Sequence, residues 1–206
     1  MADRFLHEHF DKPEVDPRLR WYCEPARWSV QPARRRLRVE PDGGTDFWQK
    51  THYGFEGDNG HLLFAEVAGD FVLTTRVSFR PAHQYDQAGL MVRLSPSCWL
   101  KTAVEHEPDG PSRLGAVVTN QAYSDWSTQD FPAGRRAMGL RVHRKGGDYL
   151  VEAANDGRDW KQIRLAHLHE GREGGVVAAG LYACSPRGVG FVAAFSCLRI
   201  DRGSVS

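Results

Sequence analysis

The sequence predicts an all-β fold, a sandwich of two antiparallel sheets, on three observations. Apolar residues recur with period two along most of the chain, and turn signals separate the runs. No long, well-capped stretch of helical periodicity interrupts them. About a dozen short strands are too many for one flat open sheet and suit two sheets packed face to face. The 21 glycines and 11 prolines supply the reversals such a chain needs.

Taken in order, the segment 11–34 is rich in Pro and Arg and reads as an ordered wrapping segment. Short apolar runs occur near 20–23 and 35–40, followed by Asp42-Gly-Gly44 as a turn. The next run, 61–67, follows the turn Asp58-Asn-Gly60. In 70–79, Phe71, Leu73, Val77 and Phe79 point one way and Thr74, Arg76 and Ser78 the other, as in a strand with one buried face. Runs at 86–94 and 98–106 flank the turn Ser95-Pro-Ser97, and 114–119 follows Asp109-Gly110. The segment 136–145 alternates again, with Met138, Leu140 and Val142 against Arg141, His143 and Lys145. Lys145-Gly-Gly147 then turns the chain into 148–154, and Asp156-Gly157 turns it into 160–165. Runs at 175–183 and 189–200 complete the pattern. No Pro/Gly/Ser-rich linker divides the chain, so residues 1–206 read as one domain.

Charge narrows the function classes. With 27 Lys+Arg against 26 Asp+Glu the net charge is +1, which gives no broad electrostatic reason for a nucleic-acid or membrane partner. No apolar run approaches the roughly 20 residues that span a bilayer, and residues 1–10 lack the apolar core of a secretory signal. The four cysteines, Cys23, Cys98, Cys184 and Cys197, form no CxxC pair and read as reduced thiols of a cytoplasmic protein. There is no phosphate-binding glycine loop, nucleophile elbow or dinucleotide fingerprint, and no cofactor is expected.

The segment 85–106 is the most informative. On its first strand Ala88, Leu90, Val92 and Leu94 share the core face, while Tyr85, Gln87, Met91 and Arg93 share the other, with Gly89 leaving space. On the second, Cys98, Leu100 and Val104 face the core and Trp99, Lys101, Ala103 and Glu105 face away. If the strands pair, Gln87, Arg93, Trp99, Lys101 and Glu105 gather on one surface. An aromatic ring can cover the apolar face of a pyranose while amide, carboxylate and cationic groups bond its hydroxyls. The competing expectation is a solvated sheet face with cross-strand charge pairs.

Several motifs occur in a telling order: Thr45-Asp-Phe-Trp48, Tyr85-Asp-Gln-Ala-Gly-Leu-Met-Val-Arg93, Trp99-Leu-Lys101 with Glu105, Val117-Val-Thr119, Ser124-Asp-Trp126, and Ser185-Pro186 before Gly190-Phe191. Together they resemble the regulation-of-enolase-protein family over approximately residues 5–200. Tyr85-Asp-Gln-Ala-Gly-Leu90 is also similar to a string in the C-terminal sandwich domain of some beta-xylosidases. The resemblance implies a concanavalin A-like, jelly-roll sandwich with one concave face. It implies no particular reaction, so function rests on the site.

Other constellations add less. Glu105, Glu107 and Asp109 have the kind of spacing seen in the acids of family-16 glucanases, but the order is Glu-x-Glu-x-Asp where that family has Glu-x-Asp-x-x-Glu or a close variant. Pro108 also tends to end the strand, and Asp109-Gly110 reads as its turn. A loop with Asp46, Trp48, His52 and Tyr53 can rim the same face, and Trp126 can add a second stacking platform. His7-x-His9 and His167-x-His169 have the spacing of paired ligands, yet nothing supplies the remaining ligands of a zinc site. Asp42-Gly-Gly44 and Asp58-Asn-Gly60 read as ordinary turns rather than calcium loops. No metal is therefore expected.

The leading expectation is binding of a carbohydrate or similar polyhydroxylated metabolite. Gln87, Arg93, Lys101 and Glu105 would bond it, His52 would sit at the rim, and Trp99, Trp48 and Trp126 would stack. One alternative is a sugar-active enzyme with Glu105 as the catalytic acid/base, assisted by Lys101 or His52. Another, implied by the resemblance, is an intracellular module that regulates a metabolic enzyme such as enolase.

Overall fold

In the computed structural model, which describes residues 3–203, the chain forms 17 strands, numbered here in chain order. One sheet runs β15 (Lys161–His167), β14 (Asp148–Ala154), β13 (Ala137–Lys145), β8 (Phe71–Arg80), β17 (Val192–Arg202), β4 (Arg36–Glu40), β3 (Arg27–Gln31). β1 (Asp3–Glu8) also pairs with β17, so β1 and β4 lie end to end along one of its sides. The other sheet runs β12 (Tyr123–Asp130), β11 (Arg113–Asn120), β10 (Cys98–Glu105), β9 (Gln87–Ser95), β16 (Val176–Cys184), β7 (His61–Ala68), β2 (Arg20–Tyr22). A two-stranded flap, β5 (Phe47–Trp48) with β6 (Gly57–Asp58), completes the set, and every pairing between strands is antiparallel. The architecture is the expected concanavalin A-like sandwich. Among the described residues the helical content is one 3-10 turn, Pro32–Arg34, and no helix is long and apolar enough to cross a membrane.

Alternation explains the layering. Leu73, Val77, Leu140, Val142, Val151 and Ile200 from one sheet meet Leu63, Val67, Leu90, Val92, Leu100 and Leu181 from the other, all buried in the central core. β8 keeps one solvated face at Arg76, Ser78 and Arg80. β9 and β10 differ, being buried on both faces, because a second apolar cluster forms outside the sandwich. There Phe47, Trp48, Leu62, Met91, Trp99, Val117, Tyr182 and Cys184 pack together, so the segment carrying β5 and β6 covers part of the sheet. Close strand approach shapes the sheet at Gly180, where an added Cβ would stand 1.9 Å from Leu63 O.

Five of the strands lie where no apolar run predicts one, the two-residue β5 and β6 among them. β1, β3 and β12 are short or polar and sit at sheet margins or beside a broken edge, where a polar face meets solvent. The wrapping segment 11–34 holds both β2 and β3. All four cysteines are free thiols.

Candidate functional site

Register brings the sequence motifs together. Across β9 and β10, Glu105 faces Gln87, Lys101 faces Met91 and Trp99 faces Arg93. Across β11 and β12, Lys101 is continued by Val117 and then Trp126. One row thus runs Met91, Lys101, Val117, Trp126, and a parallel row four residues away carries Gln87 and Glu105. Small residues, Ala103 and Gly115, lie between the rows and leave a trough.

Two loops raise walls over this floor. The first runs from β5 to β6. Phe47 wedges between Tyr22, Trp99 and Tyr182, with ring centroids 6.2, 6.1 and 6.4 Å away. Trp48 donates its indole N–H to Thr51 O at 2.9 Å, and Gln49 N–H donates to Ser124 Oγ at 2.9 Å, which ties the loop to β12. Beyond it, Tyr53 lies 5.2 Å from Trp48 and 6.4 Å from Phe55, both centroid to centroid. Tyr53 and Phe55 are 55% and 45% exposed, an apolar lip that water does not reward.

The second wall is the loop after β16. Buried Ser185 holds it: Oγ lies 2.5 Å from Asp86 Oδ1 and 2.6 Å from Gly188 O, and its N–H donates to Thr45 Oγ1 at 3.0 Å. Asp86 in turn accepts the N–H groups of Ala82 and His83, each at 2.7 Å. Arg187, next but one after Ser185, lies over the ring of Tyr85, 5.2 Å from its centroid.

Between these walls is a pocket of about 260 Å³. Trp48, Tyr53, Phe55, Tyr85 and Trp126 give it aromatic sides, and Asp46, Gln87, Lys101, Glu105 and Arg187 give it polar groups. Lys101 is 3% exposed and its Nζ donates to Asp46 Oδ1 at 3.2 Å. Asp46 Oδ1 also accepts the N–H of Phe47 at 2.7 Å. Glu105 accepts from Gln87 Nε2 at 3.0 Å. Burial pushes its carboxyl up to about 8; Lys101 pulls the other way, while Asp46 and Glu107 add to the rise.

Five of the eight residues singled out from sequence, Trp48, Gln87, Lys101, Glu105 and Trp126, line this pocket. Three do not. Trp99 is on the expected face but fully buried beneath the flap, its indole N–H on Pro96 O at 3.2 Å, so it offers no surface for stacking. Arg93 is one row further on, paired with Asp58 at 2.7 Å and lying over Tyr22 at 4.5 Å, so it is committed to holding β6 and β2 together. His52, at φ 63°, sets its ring edge-on to Tyr53 at 5.0 Å and does not line the pocket. Phe55 and Arg187 line the pocket without a signal in the alternation, since both belong to loops positioned by distant contacts. β10 ends at Glu105, and Glu107 lies beyond it accepting from Gln84 Nε2 at 2.8 Å, so the three alternating acids do not share a strand face.

Fold and site together define a concanavalin A-like β-sandwich with an aromatic-walled pocket on its seven-stranded sheet. Residues 21–202 match the profile of the family described as "Protein of unknown function (DUF1349)", and the chain belongs to that family. It is 35% identical, over 176 residues, to Regulation of enolase protein 1 of Saccharomyces cerevisiae (strain ATCC 204508 / S288c), covering 85% of each chain. The crystal structure of a functionally unknown protein from Saccharomyces cerevisiae is similar at TM-score 0.83 and 33% identity, over 92% of this chain and 98% of that one. The GH43 BlXynB protein from Bacillus licheniformis is similar in fold at TM-score 0.71 and 17% identity. That match covers 94% of this chain and 38% of the larger protein.

Proposed function

We propose that the protein binds a carbohydrate or related polyhydroxylated metabolite in the pocket between the flap and the Ser185 loop. The observation that carries this reading is the opposition of aromatic faces, Trp48 and Trp126, to the hydrogen-bonding floor of Gln87, Lys101 and Glu105. C–H faces of a sugar ring pack on indoles, and its hydroxyls both donate and accept, which a mixed amide, ammonium and carboxyl floor requires. At about 260 Å³ the pocket is smaller than the roughly 300–1,000 Å³ of sites for drug-sized ligands, which favours a ligand near one ring in size. A thermal-shift screen of the purified protein against sugars tests it. A ligand at 100 times its dissociation constant adds about 2.7 kcal/mol, a visible rise in the midpoint. Loss of that shift in Glu105→Gln and Trp126→Ala is the expected result; full binding by both variants would move the ligand elsewhere.

A specific observation favours a second reading, an enzyme acting on a sugar or glycoside. Glu105, pushed up to about 8, carries a proton at neutral pH and is poised as a general acid, with the carboxylate of Asp46 in the same pocket. Turnover of chromogenic glycosides, abolished in Glu105→Gln, is its test. The name of the yeast relative supports a third role, regulation of enolase by direct contact, which co-purification with enolase would examine. Four free thiols accord with a reducing, cytoplasmic setting for any of these.

A further inference from the structure

The charges that line the pocket are unevenly matched. Asp46 is taken up by Lys101. The Lys101 ammonium has three N–H donors and uses one of them on protein among the described residues, although it is almost wholly buried. The ring faces of Trp99 and Tyr182, 5.9 and 5.8 Å from Nζ, steady the charge without consuming a donor. Arg187 has no carboxylate partner among the described residues. Its guanidinium lies over Tyr85, and a fork of N–H groups along its edge remains to be used. The loop that presents it is fixed through buried Ser185 to Asp86 and Thr45, so the backbone that carries the fork is in place before any ligand arrives. Glu105 pairs with neither cation among the described residues: it accepts from Gln87, and burial raises its carboxyl to about 8, which disfavours a second negative charge here. Two cations therefore face one fixed anion.

We propose that the ligand is a sugar acid, a polyhydroxylated ring bearing a carboxylate, with Arg187 taking the carboxylate and Gln87, Lys101 and Glu105 the hydroxyls. The proposal rests on the carbohydrate reading of the same pocket and narrows it. A fork of N–H donors matches the two oxygens of a carboxylate in plane. One negative charge equals the surplus in the pocket, whereas a phosphate monoester, at about −1.5 to −2, exceeds it.

The test is titration calorimetry of the full chain with glucuronate and galacturonate, with glucose and galactose as their neutral counterparts, and with glucose 6-phosphate. The expected result is a uronate affinity about tenfold or more above that of its neutral counterpart, falling as salt is raised. Arg187→Gln should erase that preference, bringing uronate affinity down to that of the neutral counterpart measured in the same variant, with the melting temperature unchanged because the side chain is exposed. Equal affinity for acid and neutral sugars overturns the sugar-acid assignment and leaves carbohydrate binding standing. Tighter binding of the sugar phosphate through Arg187 also overturns it, in favour of phosphate. Binding of none of the five compounds overturns the sugar-acid assignment and counts against the carbohydrate reading beneath it.

Discussion

Gln87 donates its amide N–H to Glu105 Oε2 at 3.0 Å across the β9–β10 pair, while its Oε1 accepts from the Tyr182 hydroxyl at 3.1 Å. Burial holds the Tyr182 phenol well above its ordinary range, so it stays a donor and fixes which way the amide points. The amide then presents N–H to Glu105, which makes Oε2 an acceptor. A proton on this carboxyl therefore resides on Oε1, the oxygen left for a ligand.

That arrangement has a pH signature. Glu105 rises from an ordinary 4.5 to about 8 in the folded protein. Between those values the unfolded chain releases the proton and the folded chain keeps it, so the unfolded state binds fewer protons. Stability then falls as pH rises through this window and levels off above it. Glu105→Gln removes the penalty and should gain on the parent protein across the window, by on the order of 5 kcal/mol at its upper end. Urea denaturation of both proteins at the two ends of the window checks this, and parallel pH dependences would show that Glu105 ionises normally.

Lys101 and Asp46 should behave as a coupled pair. Lys101→Met leaves the Asp46 carboxylate, whose side chain is 16% exposed, without its cation and should cost about 3 kcal/mol. Adding Asp46→Asn should recover much of that loss. A double-mutant cycle measures the coupling, and strictly additive costs would mean that the two charges are independently solvated.

The two indoles of neighbouring register should separate stability from binding. Trp99→Ala empties a fully buried site and is expected to cost about 3–5 kcal/mol. Trp126→Ala, on the edge strand β12, should change stability by less than about 1 kcal/mol yet weaken sugar binding about tenfold. Melting temperatures and calorimetric titrations of both variants decide it; a Trp126→Ala protein that binds normally would remove this ring from the site.

Arg144 should be a strong stability determinant far from the pocket. It is 2% exposed and donates to Gly146 O, Gly175 O and Arg172 O at 2.9, 2.7 and 3.1 Å, pinning the loop between β15 and β16. Arg144→Ala strands three carbonyls and should cost about 2–4 kcal/mol. Limited proteolysis should then cut first within residues 168–175. Arg144→Lys should restore less than half the loss, because one ammonium cannot span three acceptors fixed for a fork.

Strand alternation made much of this molecule legible. The split of β9 and β10 into Ala88, Leu90, Val92 against Gln87, Met91, Arg93 is the split the sheet shows, because a half-buried strand writes its orientation into period two. Alternation tells which face a side chain takes and nothing about what lies above that face. Trp99 and Trp126 share a surface, yet Phe47 seals one while the other borders the pocket. Phe47 reaches Trp99 across some fifty residues of sequence, and no local pattern carries that distance. Arg187 and Phe55 are illegible for the same reason: the loop of Arg187 is placed by Ser185, Asp86 and Thr45, and that of Phe55 by Trp48 and by Gln49 on Ser124, rather than by periodicity. β1, β3 and β12 escaped notice because sheet margins tolerate polar residues on both faces.

The position of β17 has a consequence for synthesis. It fills the slot between β8 on one side and β4 with β1 on the other. A ribosome that has reached residue 191 has made every neighbour of that slot and none of its occupant. The nascent chain then carries bare backbone edges facing each other across a gap one strand wide, a template for any extended peptide. The pocket-bearing sheet has a like slot between β9 and β7, but β16 fills it earlier and is finished by Cys184. One half of the sandwich can therefore be hydrogen-bonded while the other still waits for its last strand.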